Sequence, residues 1–236
     1  MTATGSAGVP LPRRAVGPVL AFWQSSVGKK AVMAVTGLIW VAYLITHVLA
    51  NLLVFSGPTR INAYSAFLHS TGLALWVPRL ILMAALVLHI VAAYQLARRR
   101  QAARPVGYVQ REPQVSTFAS RTIRWGGVLI LIFIIIHLLQ FTTGTILPGF
   151  IEGDPYRNVL TGFHNPVVVV FYLIALAALG LHLYHGVWSS GRSLGAAPAE
   201  PNTFRRPVAV VLAVFIWLGF TIIPIAVFFG WIGGPR

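Results

Sequence analysis

Long apolar runs alternate with short polar ones along nearly the whole chain. Stretches free of Asp, Glu, Lys and Arg cover residues 31–59, 80–97, 125–151, 158–191 and 207–235. A bilayer core about 30 Å thick is crossed by about 20 apolar residues in helical form, so each stretch supplies one span. The second is the shortest and takes Trp76 and Val77 into its start. The pattern predicts an all-α membrane protein with five transmembrane helices in a bundle, at approximately 30–56, 76–100, 122–147, 165–190 and 206–231. These helices form one unit over 21–236, with neither a soluble domain boundary nor a strong internal repeat. Residues 1–20, "MTATGSAGVPLPRRAVGPVL", lack the apolar core and cleavage pattern of a signal peptide and read as a flexible cytoplasmic tail. The Pro- and Ala-rich "GAAPAEPNTFRRP" reads as a loop before the fifth helix.

Composition sharpens this picture. Hydrophobic residues make up 57% of the 236 and charged ones only 9%, far below the roughly 25% charge of a soluble domain. The net charge is +14, yet the bases punctuate apolar runs and form no nucleic-acid-binding face. With zero cysteines, disulfides, thiolate metal sites and thiol-ligated iron–sulfur clusters are excluded within this chain. The basic residues also predict orientation. Arg13, Arg14, Lys29, Lys30, Arg98, Arg99, Arg100, Arg104, Arg111, Arg121, Arg124, Arg192, Arg205 and Arg206 fall on one side of the spans, and only Arg60, Arg79, Arg157 and Arg236 on the other. The positive-inside rule places the N-terminus in the cytoplasm and the C-terminus outside.

Histidine is the polar residue that changes the picture most. His69 in "AFLHSTG" and His164 in "GFHNP" fall in the two external connections and read as surface or loop-packing side chains. The other five lie within spans: His47, His89 and His137 in the first three, His182 and His185 in the fourth. An imidazole in hydrocarbon is costly without a partner, and intramembrane ionisable groups mark functional sites. Distance from the cytoplasmic basic residues estimates depth. His89 precedes Arg98 by nine residues and His182 precedes Arg192 by ten, which puts both roughly 14–15 Å above the inner boundary. His137 is thirteen past Arg124 and His47 seventeen past Lys30, roughly 20–25 Å along their helices. Helices two and four thus offer an inner pair, helices one and three an outer pair. His185 is shallower than His182 and is the alternative ligand on helix four. Two layers of two histidines suit two haems, each held by axial imidazoles.

A flat macrocycle also needs small neighbours one turn from its ligands. His89 has Ala85 and Ala93, and His182 has Ala178 and Gly186. Around the outer histidines stand Tyr43 with Asn51 and Phe133 with Phe141, while Gly37 and Gly127 each precede their own histidine by ten residues. Small residues alone would indicate only ordinary helix packing.

The stretches "SSVGKKAVMAVTGLIWVAYLITHVLANLLVF", "LVLHIVAAYQLARRR", "RWGGVLILIFIIIHLLQ" and "HLYHGVWSSGRSLG" together resemble the di-haem cytochrome b membrane anchor of succinate:quinone oxidoreductases, in its single-subunit five-helix form. The resemblance covers roughly residues 20–232. It implies that His47 and His137 hold a distal haem b, and that His89 and His182 hold a proximal one. It implies a prokaryotic cytoplasmic membrane, partner flavoprotein and iron–sulfur subunits, and a quinone, expected to be menaquinone, as electron acceptor. The run "HLYHGVW" matches the family spacing with His182, Gly186 and Trp188, which favours His182 over His185. "QSSVGKK" loosely matches a serine-plus-base element of the proximal quinone pocket, implying Ser26, Lys29 and Lys30 as quinone contacts. The glutamate that some members carry on helix two is absent, since no acid lies between Lys30 and Arg111.

Dehydrogenase chemistry is not expected on this chain itself. It has no nucleotide-binding glycine motif, and its four carboxylates, Glu112, Glu152, Asp154 and Glu200, all lie in or near loops. A second redox reading is the di-haem cytochrome b of another quinone-linked dehydrogenase. From a different class, a proton-coupled transporter would use intramembrane histidines as relays, but would usually show broken helices or inverted repeats. His137 is expected to bind iron through one ring nitrogen and a backbone carbonyl through the other.

Overall fold

The computed structural model describes residues 17–103, 118–196 and 205–234. Residues 1–16 of the expected tail, Arg104, Arg111, Glu112, Glu200 and Arg236 lie outside them. Among the described residues there are helices and turns and no strand. Five helices are long and apolar enough to cross a membrane, giving the chain its multi-pass character.

Helix α1, Pro18–Gln24, begins where the sequence suggested tail. Pro18 is pre-set for a first helical position, where its missing N–H costs nothing. The chain then breaks at Ser25, whose hydroxyl accepts from Gly28 N at 2.8 Å and caps α2, Ser26–Leu52. Four residues of tighter 3₁₀ helix complete this span at Ser56. Helix α3, Pro58–Ser70, follows Gly57, whose φ of +85° turns the chain. A 3₁₀ turn leads into α4, Trp76–Ala103. Helix α5, Phe118–Phe141, stops six residues short of its expected end at 147. Gly144, with φ of +69°, turns there, and Phe150 packs where a Cβ would stand.

Helix α6, Pro155–Phe163, is capped by Asp154, which accepts from Arg157 N at 3.0 Å. Helix α7, Pro166–Ser193, is capped by Asn165, which accepts from Val167 N at 2.9 Å. Helix α8, Arg205–Phe228, contains Pro224 and ends three residues before the expected 231. The expected connections around His69 and His164 are therefore largely helical: His69 closes the last turn of α3, and His164 is the C-cap of α6.

Helices α4, α2, α7 and α5 pack in that order as successive neighbours, and α8 lies against both α2 and α7. The pairs α2 with α5 and α4 with α7 are not among the closely packed ones. They face each other across the bundle as its two diagonals. Small residues set the close approaches, as expected where lipid removes the hydrophobic drive between helices. Ala85 and Ala92 of α4, Ala175 of α7, and Ala209, Ala213 and Ala226 of α8 are all buried. Gly219 of α8 lies so close to α2 that an added Cβ would stand 2.5 Å from the Val48 side chain. Leu80, Ile81, Met83 and Val87 of α4, with Ile132 and Ile135 of α5, stay exposed. In water such a belt would mark an interaction surface; on helices of this length it is the surface that meets lipid.

Candidate functional site

The two diagonals of the bundle are bridged by imidazoles. His89 of α4 and His182 of α7 have ring centroids 6.2 Å apart, inclined at 52°. His47 of α2 and His137 of α5 have centroids 6.0 Å apart, inclined at 86°. His185 lies off both diagonals, with its ring 6.4 Å from that of Trp188 on the same helix. The structure thus brings together the same two pairs that depth estimates group, and leaves His185 outside them.

Neighbouring helices set the two levels. Thr36 Oγ1 of α2 lies 3.2 Å from His89 Nδ1. A Cβ on Gly37 would stand 3.3 Å from His89 Cε1, and one on Gly127 of α5 would stand 3.9 Å from His182 Cε1. The two glycines therefore make room beside the inner pair, on the helices opposite its own. They do not serve the outer histidines that follow them in sequence, because ten residues of helix separate the two by about 15 Å. Tyr172 of α7 belongs to the outer level, with its ring centroid 6.2 Å from that of His137. Three helices repeat one interval: Gly37 to His47, Gly127 to His137 and Tyr172 to His182 are each ten residues.

The two levels differ in lining. Besides its glycines, the inner level has Ala85, 3% exposed, one turn before His89. An apolar groove on its α2–α4 flank encloses about 480 Å³ and includes Val35, Thr36, Ala85 and Leu88. Another on the α5–α7 flank encloses about 290 Å³ and reaches Ala178 and His182. Aromatic rings line the outer level instead. Tyr43 stacks on His47 at 5.0 Å, Phe133 and Phe141 lie 5.6 and 5.7 Å from His137, and Phe220 of α8 lies 5.6 Å from His47.

Polar partners reach the imidazoles at unequal strength. Thr36 donates its hydroxyl hydrogen to Val32 O at 2.7 Å, so its oxygen is left to accept from His89 Nδ1. His137 Nδ1 meets the Tyr172 hydroxyl at 3.3 Å, not the expected backbone carbonyl, because the Tyr172 ring of α7 packs beside it. Asn51 Nδ2 lies 3.4 Å from both ring nitrogens of His47, and donates at 2.8 Å to the His47 carbonyl. His182 Nδ1 is buried with no hydrogen-bond partner, an orphan that a buried polar group rarely remains.

Among the described residues no three His, Cys, Asp or Glu side chains gather to hold a metal ion. A bare transition-metal ion needs three or four protein donors. A histidine pair suffices where a macrocycle supplies the remaining donors. Two metal–nitrogen bonds of about 2 Å, with about 1 Å more from each nitrogen to its ring centre, span roughly 6 Å, matching the centroid separations of both pairs. The donor set and the separation of both pairs fit a bis-imidazole haem.

The remaining sequence candidates do not converge. Ser26 Oγ accepts from Arg99 Nη1 at 3.4 Å and is exposed. Lys29 is 3% exposed, donates its ammonium to Trp23 O, and lies over the Trp23 ring at 4.8 Å. Lys30 is exposed. Sequence reasoning missed Thr36, Tyr172 and Gln140, which are ordinary-looking polar residues within apolar runs. Only Tyr172 carries a signal, its register: it precedes His182 by the same ten residues as Gly127 precedes His137. Compared with protein-family models, characterised proteins and solved structures, the chain finds no match in any of the three.

Proposed function

We propose that this chain is the di-haem cytochrome b membrane anchor of a succinate:quinone oxidoreductase. In this role it carries electrons from an iron–sulfur subunit to a quinone, with menaquinone as the expected acceptor. One observation carries the reading: two histidine pairs, each spanning a different diagonal of the bundle, with rings 6.0 and 6.2 Å apart. His47 with His137 would hold the distal haem, and His89 with His182 the proximal one. When bound, haem supplies one-electron chemistry at iron held within hydrocarbon.

The protein's own residues do the rest. Thr36 and Tyr172 orient one imidazole of each pair, Gly37 and Gly127 clear space beside the inner pair, and the aromatic shell keeps water from the outer pair. Of the proposed quinone contacts, Ser26 has a suitable setting, with an exposed hydroxyl and the Arg99 guanidinium beside it. Lys29 is committed to Trp23. A partner subunit would meet the basic end of the bundle. Among the described residues the only carboxylates are Glu152 and Asp154, at the opposite end beside α6.

Pyridine haemochrome analysis of the purified chain tests the core of the proposal, with two b haems per chain expected and zero or one rejecting it. Adding succinate to membranes that hold the whole complex tests its partner. Haem reduced by succinate supports the succinate-linked assignment. Haem reduced only by hydrogen or formate would move the chain to another quinone-linked dehydrogenase.

A further inference from the structure

Behind the outer histidine pair runs a hydrogen-bonded chain of which the proposed function uses only the first link, Tyr172. Tyr172 is 4% exposed and Gln140 only 3%. The Tyr172 hydroxyl lies 3.3 Å from His137 Nδ1, and it donates to Gln140 Oε1 at 2.9 Å. A phenol has one hydrogen to give, and an amide oxygen has none. With that hydrogen spent on Gln140, the Tyr172 oxygen offers His137 only lone pairs. Nδ1 must then carry the imidazole hydrogen, and Nε2 the free electron pair.

We infer that Tyr172 and Gln140 are positioning residues that lock His137 in its Nδ1–H tautomer and so keep Nε2 an unprotonated donor. The lock passes from α5 to α7 and back to α5, fixing the ring between two helices. Burial makes it stringent, because a broken link strands a polar atom where water cannot replace the partner. His89 has a looser counterpart. The Thr36 hydroxyl is within reach of both Val32 O, at 2.7 Å, and Met33 O, at 3.2 Å, so it can exchange acceptors on its own helix. Gln140 gives Tyr172 a dedicated one.

The tautomer itself does not require haem, so it can be tested apart from the proposed function. Nitrogen NMR of the full chain, labelled at histidine, distinguishes a protonated ring nitrogen from a bare one. In the wild type His137 should carry its hydrogen on Nδ1. In Gln140→Leu the freed Tyr172 hydrogen turns towards Nδ1, and the tautomer ratio should shift roughly tenfold towards Nε2–H, the factor one ordinary hydrogen bond commands. His89 signals should not change. A wild-type hydrogen on Nε2, with Tyr172 donating to Nδ1, overturns the inference, as does an unchanged ratio in Gln140→Leu. A chain showing Nδ1–H but binding no haem keeps the inference and loses the haem reading.

The haem-loaded protein gives a second readout. An acceptor at Nδ1–H makes the ligand more basic and favours ferric iron. Tyr172→Phe should therefore raise the reduced-to-oxidised ratio of the outer haem roughly tenfold at a fixed poise, about 59 mV for one electron. The inner haem should titrate as before. Identical titrations of both haems in wild type and Tyr172→Phe would also overturn the inference.

Discussion

Gly37 and Gly127 face the inner histidines with different amounts of room, and the difference is measurable. A Cβ on Gly37 would come within 3.3 Å of the His89 ring, while one on Gly127 would be at 3.9 Å from His182, ordinary contact distance. Gly37→Ala should disturb the inner site, and Gly127→Ala should leave it intact. Larger side chains should block both. We expect Gly37→Leu and Gly127→Leu each to lose the inner haem and keep the outer one, read as one haem per chain by pyridine haemochrome. His182→Ala should do the same, and His185→Ala should retain both haems. Loss of a haem in His185→Ala with retention in His182→Ala would reverse the assignment on α7. The histidines were legible in the sequence because an imidazole stands out against Leu, Ile and Phe. Thr36 and Tyr172 were not, since a hydroxyl inside a span usually bonds its own helix, and only the packed register shows the two meeting imidazoles on other helices.

Among the elements, the five spans were legible because apolar length alone declares them. Helices α3 and α6 were not. They are polar enough to read as connections, and what makes them helices is local punctuation: Gly57 before Pro58, and Asp154 before Pro155. The end of α5 was missed for a related reason, since the apolar residues Ile146 and Leu147 continue the run after Gly144 has already turned the chain. The two short helices are joined through one carboxylate. Asn62 of α3 donates to Asp154 at 2.9 Å and accepts from Tyr156 N at 3.2 Å, while Asp154 caps α6. Asp154→Ala removes the cap and the carboxylate half of the link, leaving the Tyr156 N–Asn62 bond. A lost cap costs about 1 kcal/mol, and the Asn62 amide hydrogen left without its acceptor adds about 1 kcal/mol more. We expect a lower unfolding temperature in detergent by light scattering, with the inner haem spectrum unaltered. An unfolding temperature equal to wild type would show that the α3–α6 link carries no stability.

Over the whole molecule, the charge distribution makes a claim about direction. Trp188 near the end of α7 lies 5.1 Å from the Arg192 guanidinium and 5.3 Å from that of Arg206 on α8. This basic end opposes the end that holds Glu152 and Asp154. By the positive-inside rule we expect this end to be cytoplasmic. Alkaline phosphatase fused after Arg236 should therefore be active, since that enzyme matures only outside the cytoplasm, and an inactive but expressed fusion would invert the topology. Direction matters for the chemistry as well, because moving one charge across 100 mV is worth about 2.3 kcal/mol. Loss of the outer haem in His137→Ala should slow succinate:quinone turnover in energised vesicles and weaken its response to membrane potential. Turnover and response both equal to wild type would leave the outer haem a structural staple.

The ten-residue interval shared by α2, α5 and α7 acts as a ruler built into the chain. One residue added between Gly127 and His137 would turn everything beyond it by about 100° and advance it by about 1.5 Å. That would swing either Gly127 or His137 out of the bundle, whichever side moved. Change in the length of this protein should therefore accumulate in its connections, such as the segment between α4 and α5, while the three ruled intervals keep their count even where every residue between their ends is replaced.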